Sequence, residues 1–392
     1  MLKKEMLYDL DDVTIIPADQ TSVRHRDEVC PYHNINGTDY LPIFVSPMEC
    51  VISKENFHEY DRNGVIPIMP RTETLQDRIF KTRHNYWSAY GLEEFVDVFC
   101  TDGNNLIWNM DKQSGEWGNS NTFYALIDNA NGHMDELPVR IKQAKKIASG
   151  KGYCLKIMAG NIANPDTYKV LAEAGADYVR CSVGNGNCCL TASNTSTYMP
   201  MASLLDECLY LKVRHNLKCA IVADGGINSY NRAIKALALG ADYVMIGSVF
   251  GKCFESSSKF INADFSGRDL IDGFGLDDLN GMRFDRSITE AQKKKLIGIY
   301  KPVKALWGMS TRRAQVSIGL ACGKKKEDIK LKNSEGVEKH ATVEYTLHQW
   351  LENFTDYLRS SMSYCNAFNL DEYIGQPSIR LMSEAARNAI NK

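Results

Sequence analysis

Seven short apolar runs punctuate the chain, each ending in small or polar residues. They are LPIFVSPM (41–48), GVIPIMP (64–70), FYALIDNANG (123–132), CLKIMAGN (154–161), YVRCSVGNG (178–186), CAIVADGGI (219–227) and YVMIGS (243–248). Each has the length of a strand and is rich in Val, Ile or Tyr. They are apolar throughout rather than alternating, the pattern of strands covered on both faces of a parallel sheet. Helical periodicity separates many of them. In DTYKVLAEAGAD, Tyr168, Leu171 and Ala172 share a face and Gly175 is the stop; in NRAIKALALGAD, Ile234, Leu237 and Ala238 share one and Gly240 is the stop. The phrase GADYV recurs at 175–179 and 240–244, at the seam between a helix and the next strand. Repeated βα units of this kind predict an α/β chain folded as a (β/α)₈ TIM barrel, with a doubly wound sheet as the lesser option.

Three stretches resist the pattern. Residues 87–122 are polar with little periodicity and read as a small excursion. Residues 253–300 read as an insertion, with a charged helix-like run, SITEAQKKKLIGIY, at its end. Residues 320–345 are rich in Lys, Glu and Gly, a composition suited to a mobile flap. With these additions the 392 residues fit one barrel domain over 1–392. A formal charge of −2 provides no global field for nucleic acid or an anionic membrane. No apolar run is long enough to span a bilayer, and MLKKEMLYDLDD is not a signal peptide. Twelve cysteines without zinc spacing, in a chain this long, point to free thiols in a reducing cytoplasm.

A barrel carries its chemistry at the C-terminal ends of its strands, here SPM, DNANG, AGN, GNGNCC, ADGG and IGS. The glycines of ADGGI (223–227) and IGS (246–248) suit backbone contact with a phosphate, with Asp224 on ribose hydroxyls; the plain alternative is tight turns with a capping Asp. In GNGNCCLT (184–191) the loop backbone can surround an ion, Cys189 can act as a nucleophile and Thr191 can move a proton. Equally, Cys188 and Cys189 can be small buried core residues. Asp128 is an acceptor at a strand end, His133 reads as a solvent-facing loop residue, and Glu335 lies in the flap. No GxGxxG follows a strand, and neither a P-loop nor HExxH is present, so a nicotinamide cofactor, if used, would have to bind without a Rossmann domain.

Taken together and in order, these stretches resemble the IMP dehydrogenase/GMP reductase family. YDLDDVTIIP (8–17) is similar to YDDVLLVP, SPMECV (46–51) to (S/N)PMDTV, and GNGNCCLT to GxGSxCTT. VADGGI, KALALGADYVMIGS (235–248) and WGMS (307–310) resemble the phosphate and base segments; SEGVE (334–338) and LRSSMSYCNAFNLDEY (358–373) resemble the C-terminal signature. The resemblance implies a covalent thioimidate between Cys189 and C2 of a purine nucleotide, with hydride exchange to a nicotinamide. It implies Cys189, Thr191 and Glu335 as catalytic residues. For the nucleotide it implies Ser46, Met48, Asp224, Gly226, Gly247, Ser248, Gly308, Met309, Ser310 and Gly336, and for the nicotinamide Asp128, Asn131, Gly132 and Asn161. A potassium ion would sit on the carbonyls of Gly184, Gly186 and Cys189, and the assembly would be a homotetramer.

The wording favours the reductase branch. DNANGH is closer to DVANGY than to the dehydrogenase's DSSQGN, and IMAGN matches the reductase. Residues 321–336 lack the Arg–Tyr pair with which dehydrogenases activate water, and 87–122 is too short for their inserted regulatory CBS domains. The expected activity is GMP reductase with NADPH, NADH or NAD being the other options; IMP dehydrogenase is the alternative and a non-catalytic purine-nucleotide sensor the second. A phosphate-binding barrel isomerase, which needs no thiol, stands outside the family. Departures from the family pattern are Asn187 for the loop serine, Leu190 for the threonine after the cysteine, Pro70–Arg71 for a His–Lys or His–Arg, Leu306 for an aromatic, and Lys332 for an arginine.

Overall fold

The computed structural model describes residues 5–101, 107–108, 121–266 and 274–390. Eight parallel strands make one sheet: β1 Ile43–Val45, β2 Ile68–Met69, β3 Trp87–Tyr90, β4 Thr122–Ile127, β5 Cys154–Ile162, β6 Tyr178–Cys181, β7 Ala220–Asp224 and β8 Tyr243–Ile246. Neighbours pair in chain order from β2 to β8, and β8 returns to β1. The last gap closes where Val45 N–H donates to Ile66 O and Ile66 N–H donates to Ile43 O, both at 2.9 Å. The result is the expected (β/α)₈ barrel.

A helix follows each strand: α1 Phe57–Arg62, α2 Leu75–Arg83, α3 Leu92–Phe99, α4 Glu136–Gly150, α5 Pro165–Glu173, α6 Met201–Arg214, α7 Tyr230–Ala238 and α8 Leu347–Tyr364. Their buried faces meet the outward side chains of the strands in one large core, which includes Tyr168, Leu171 and Leu237. Inward residues form a second cluster: Phe44, Trp87, Tyr124, Tyr178 and Tyr243 with Leu126, Met158, Val222 and Met245. Trp87 meets Phe44 and Tyr178 edge-on at 5.6 and 5.1 Å between centroids. Trp87, Tyr178 and Tyr243 each begin a strand, so large rings fill the N-terminal end and the opposite end is left for chemistry.

Two expectations are revised. Residues 87–99, read as part of an excursion, are the third βα unit of the barrel. WSAY hides its role because Ser88 and Ala89 weaken the apolar run, yet all four residues are buried by neighbouring strands. The rest of that excursion, apart from residues 100–101, 107–108 and 121–122, lies outside the described residues. The extra structure after β8 also runs further than residue 300. A three-stranded antiparallel sheet, β9 Phe260–Asn262, β10 Val303–Trp307 and β11 Glu338–Thr342, fills the path to α8 and takes in the flap segment. It has its own core of Phe254, Phe260, Leu279, Tyr300 and Val343. The fully buried Lys304 pins it down, donating to the carbonyls of Cys253, Phe254 and Ser256 at 2.8–3.1 Å.

The GADYV seam yields a paired test. Gly175 and Gly240 have φ of +102° and +104°. A Cβ at Gly175 meets nothing closer than Lys145 at 3.7 Å, whereas at Gly240 it lies 2.7 Å from Leu209. Gly175→Ala is expected to lower stability by about 1–2 kcal/mol through backbone strain alone, and Gly240→Ala by more because Leu209 must also move. Urea unfolding of the two variants checks the order.

Candidate active site

The C-terminal ends of the strands open into one cavity of about 620 Å³. Its lining includes Ser46, Met48, Asp128, Asn131, Asn161, Gly184, Gly186, Cys189, Thr191, Asp224, Gly226, Gly247, Ser248, Gly308, Met309, Ser310 and Glu335. Gly132 and Gly336 are not in the lining but pack just behind it. A Cβ at Gly132 would sit 2.6 Å from the Asn161 carbonyl oxygen, and one at Gly336 would sit 2.8 Å from Ser310 Oγ. Each catalytic, nucleotide, nicotinamide and ion residue that the resemblance implies therefore lies at or against this cavity.

The loop after β6 and the flap meet as a short antiparallel pair. Leu190 N–H donates to Glu335 O at 2.7 Å, Val337 N–H donates to Cys188 O at 3.0 Å, and Cys189 faces Gly336. This pairing brings together side chains 144 residues apart. Cys189 S–H points at Thr191 Oγ1 at 3.3 Å, and Thr191 O–H donates to Glu335 Oε2 at 2.6 Å. A thiol, a hydroxyl and a carboxylate thus form a continuous proton path. The loop needs Gly184, whose φ is +80° and whose Cβ would lie 2.5 Å from that of Ala192. The adjacent cysteine behaves differently. Cys188 is buried, its thiol turned toward Leu306 O at 3.8 Å, and burial pushes its pKa up. Both border the cavity, but the Cys188 thiol is turned to the backbone of Leu306 and the Cys189 thiol to Thr191.

Charge on the cavity floor is organised by Arg180, which the sequence reading passed over. It is 4% exposed and donates to Asp128 Oδ1 at 2.9 Å, with Asp224 Oδ2 at 3.6 Å. Asn161 Nδ2 donates to the same Asp224 oxygen at 2.7 Å. Burial raises the Asp224 carboxyl above its ordinary range, and Arg180 and Asn161 pull it partly back. The signal available in sequence was one cation inside an otherwise apolar run, YVRCSV. Arg71 reaches Asp128 O at 3.3 Å and Glu94 at 3.6 Å, so the Pro70–Arg71 departure still supplies a cation at the rim. His133 is exposed as expected, but its Nε2 accepts the Ala163 N–H at 3.0 Å, which ties the turn after β4 to β5.

The opposite end is built from turns. Gly225 and Gly226 take φ of +90° and +72° and lie against the GNGN loop. Gly247 opens the short helix Ser248–Gly251, and a Cβ on it would meet Met48 Sδ at 2.7 Å. The WGMS segment is held from outside, with Trp307 Nε1 donating to Glu49 at 3.0 Å and Arg313 stacked 3.7 Å above the ring. Leu306 is buried against Gly251, and Asn187 receives Lys339. All twelve cysteines are free, and among the described residues no helix is long and apolar enough to cross a membrane.

A family model described as IMP dehydrogenase / GMP reductase domain matches residues 119–296. The chain is similar to GMP reductase of Streptococcus gordonii, 30% identical over 269 residues, which is 67% of this chain and 76% of that protein. It is similar to GMP reductase of Bacillus subtilis, 28% identical over 266 residues, 66% of this chain and 76% of that protein. It is also similar to inosine-5'-monophosphate dehydrogenase of Nitrosopumilus maritimus, 25% identical over 260 residues, 66% of this chain and 47% of that protein.

Two outcomes are expected. Iodoacetamide at neutral pH should label Cys189 and spare Cys188, read by peptide mass mapping; equal labelling contradicts the geometry. For Asp224 the folded pKa lies above the ordinary 3.8, so the folded state binds the proton more tightly than the unfolded one. Its stabilising contribution is complete below that value and is lost as pH rises through the folded pKa. The stability of the wild type minus that of Asp224→Asn should therefore grow as pH falls from 7 toward 4, measured by urea unfolding.

Proposed function

We propose, from the premise that the chain belongs to the IMP dehydrogenase/GMP reductase family, that it is a GMP reductase converting GMP to IMP and ammonia. The observation that carries this reading is the Cys189–Thr191–Glu335 hydrogen-bonded path. Cys189 attacks C2 of the purine. Its proton passes through Thr191 toward Glu335 and returns to the exocyclic nitrogen. The C2–N bond then breaks, ammonia leaves, and a C2–S bond remains. A reduced nicotinamide, NADPH in this reading, supplies the hydride to C2. The C2–S bond breaks last and the thiolate recovers a proton, so GMP, NADPH and two protons give IMP, NADP⁺ and ammonium.

A cavity of about 620 Å³ suits a nucleotide with a nicotinamide beside it. The amides of Asn129 and Asn131 at its rim suit a carboxamide, with Asp128, Gly132 and Asn161 placing them. Asp224 is assigned to the ribose hydroxyls. Gly226, Gly247 and Ser248 are assigned to the phosphate, with Ser46 and Met48 packed on that turn. Gly308, Met309, Ser310 and Gly336 border the base. The carbonyls of Gly184, Gly186 and Cys189 are the candidate ligands of a potassium ion. The Gly186 carbonyl accepts the Cys189 N–H at 2.9 Å and keeps a second lone pair for it. A cytoplasmic homotetramer belongs to the same reading.

The test is a pair of absorbance traces at the reduced-nicotinamide band. GMP with NADPH should lose absorbance, and Cys189→Ala should cut the rate by at least about 10³-fold. Thr191→Val and Glu335→Gln should each cost about 10²-fold or more. Absorbance rising with IMP and NAD⁺ instead makes the chain a dehydrogenase. No change in either trace, with nucleotide binding intact, makes it a sensor.

A further inference from the structure

Resting on the nucleotide reading of this cavity, we infer that Lys339, on the flap strand, is a phosphate-binding residue of this chain. Its ammonium donates to both oxygens of Asn187, to the backbone carbonyl at 2.6 Å and to Oδ1 at 3.0 Å. Asn187 lines the cavity, and its loop lies on the glycine turn after β7: a Cβ at Gly226 would sit 3.4 Å from Asn185 O. The lysine is exposed and outside the cavity lining, and it reaches the cavity rim through Asn187.

The other cations near the cavity are already paired. A phosphate carries up to two negative charges, and the turns at Gly226 and Gly247 offer it only amide dipoles and the Ser248 hydroxyl. Arg71 and Arg180 line the cavity, but both are engaged by Asp128, Glu94 or Asp224. Arg232 approaches Gly226 from behind, yet it bridges Asp9 and Asp11. Lys339 has no carboxylate partner among the described residues. Two of its three N–H donors are used on Asn187, which leaves one for a phosphate oxygen.

The strand register explains why this position can serve. Lys339 sits directly across from Leu306, and cross-strand neighbours project from the same face. Leu306 packs its apolar side chain on Gly251, in the short helix that Gly247 and Ser248 begin, and brings no donor. The long lysine beside it supplies what leucine lacks, and Asn187 orients the ammonium.

The test compares dissociation constants for GMP and guanosine, by calorimetry, in the wild type, Lys339→Met and Lys339→Arg. Lys339→Met should weaken GMP by at least roughly tenfold, the worth of one charge-assisted hydrogen bond. It should leave guanosine within about twofold, and Lys339→Arg should recover most of the GMP loss. Equal weakening of both ligands would mean that the Lys339–Asn187 contact only clasps the flap, and an unchanged GMP constant would mean that Lys339 does not see the phosphate. Either result overturns the inference and leaves the reductase reading standing. A wild type that binds no purine nucleotide removes both.

Discussion

Two backbone hydrogen bonds at Ile66 close the sheet, and the site follows from that closure. A closed parallel sheet has no free edge and points every strand in one direction. The loops after β4, β5, β6, β7 and β8 therefore have to converge on one mouth. Aromatic rings starting at Trp87, Tyr178 and Tyr243 fill the other end, so the cavity can be polar at the top without opening a channel through the barrel.

The barrel alone holds a thiol and a hydroxyl. The carboxylate comes from the excursion between β8 and α8, a small sheet with a core of its own. It is fixed at its base by buried Lys304 and at its tip by backbone pairing with the loop after β6. This division of labour suits a reaction with separate steps. The barrel holds the thiol and the hydroxyl, and the excursion brings a carboxylate and a lysine up to their loop. Both Glu335 and Lys339 ride on the same flap segment, so one docking event sets acid and charge together.

The floor works differently. Arg180 is buried among apolar strands and is tolerable there because Asp128 and Asp224 pair with it, Asn161 in turn holding Asp224. In exchange it couples the side assigned to nicotinamide with the side assigned to ribose. Movement of Asp128 would be felt at Asp224 through a single guanidinium.

The repeated βα pattern, the glycine stops and the order of the strand-end motifs were legible in the linear chain, because each depends on local periodicity and local backbone freedom. They were enough to indicate the barrel, the cavity-lining residues and the resemblance that names their chemistry. Trp87–Tyr90 escaped because its burial comes from β2 and β4 rather than from its own composition. Which of the Cys188 and Cys189 thiols meets Thr191 was open in the spacing and is decided by how the loop turns against Gly336. Arg180 and Lys339 were silent for the same reason: a charge acquires a role from its partners, and theirs lie 44 to 152 residues away. Local sequence determined where the turns and strands fall; only tertiary packing decided which buried charges are satisfied, because their partners come from distant elements.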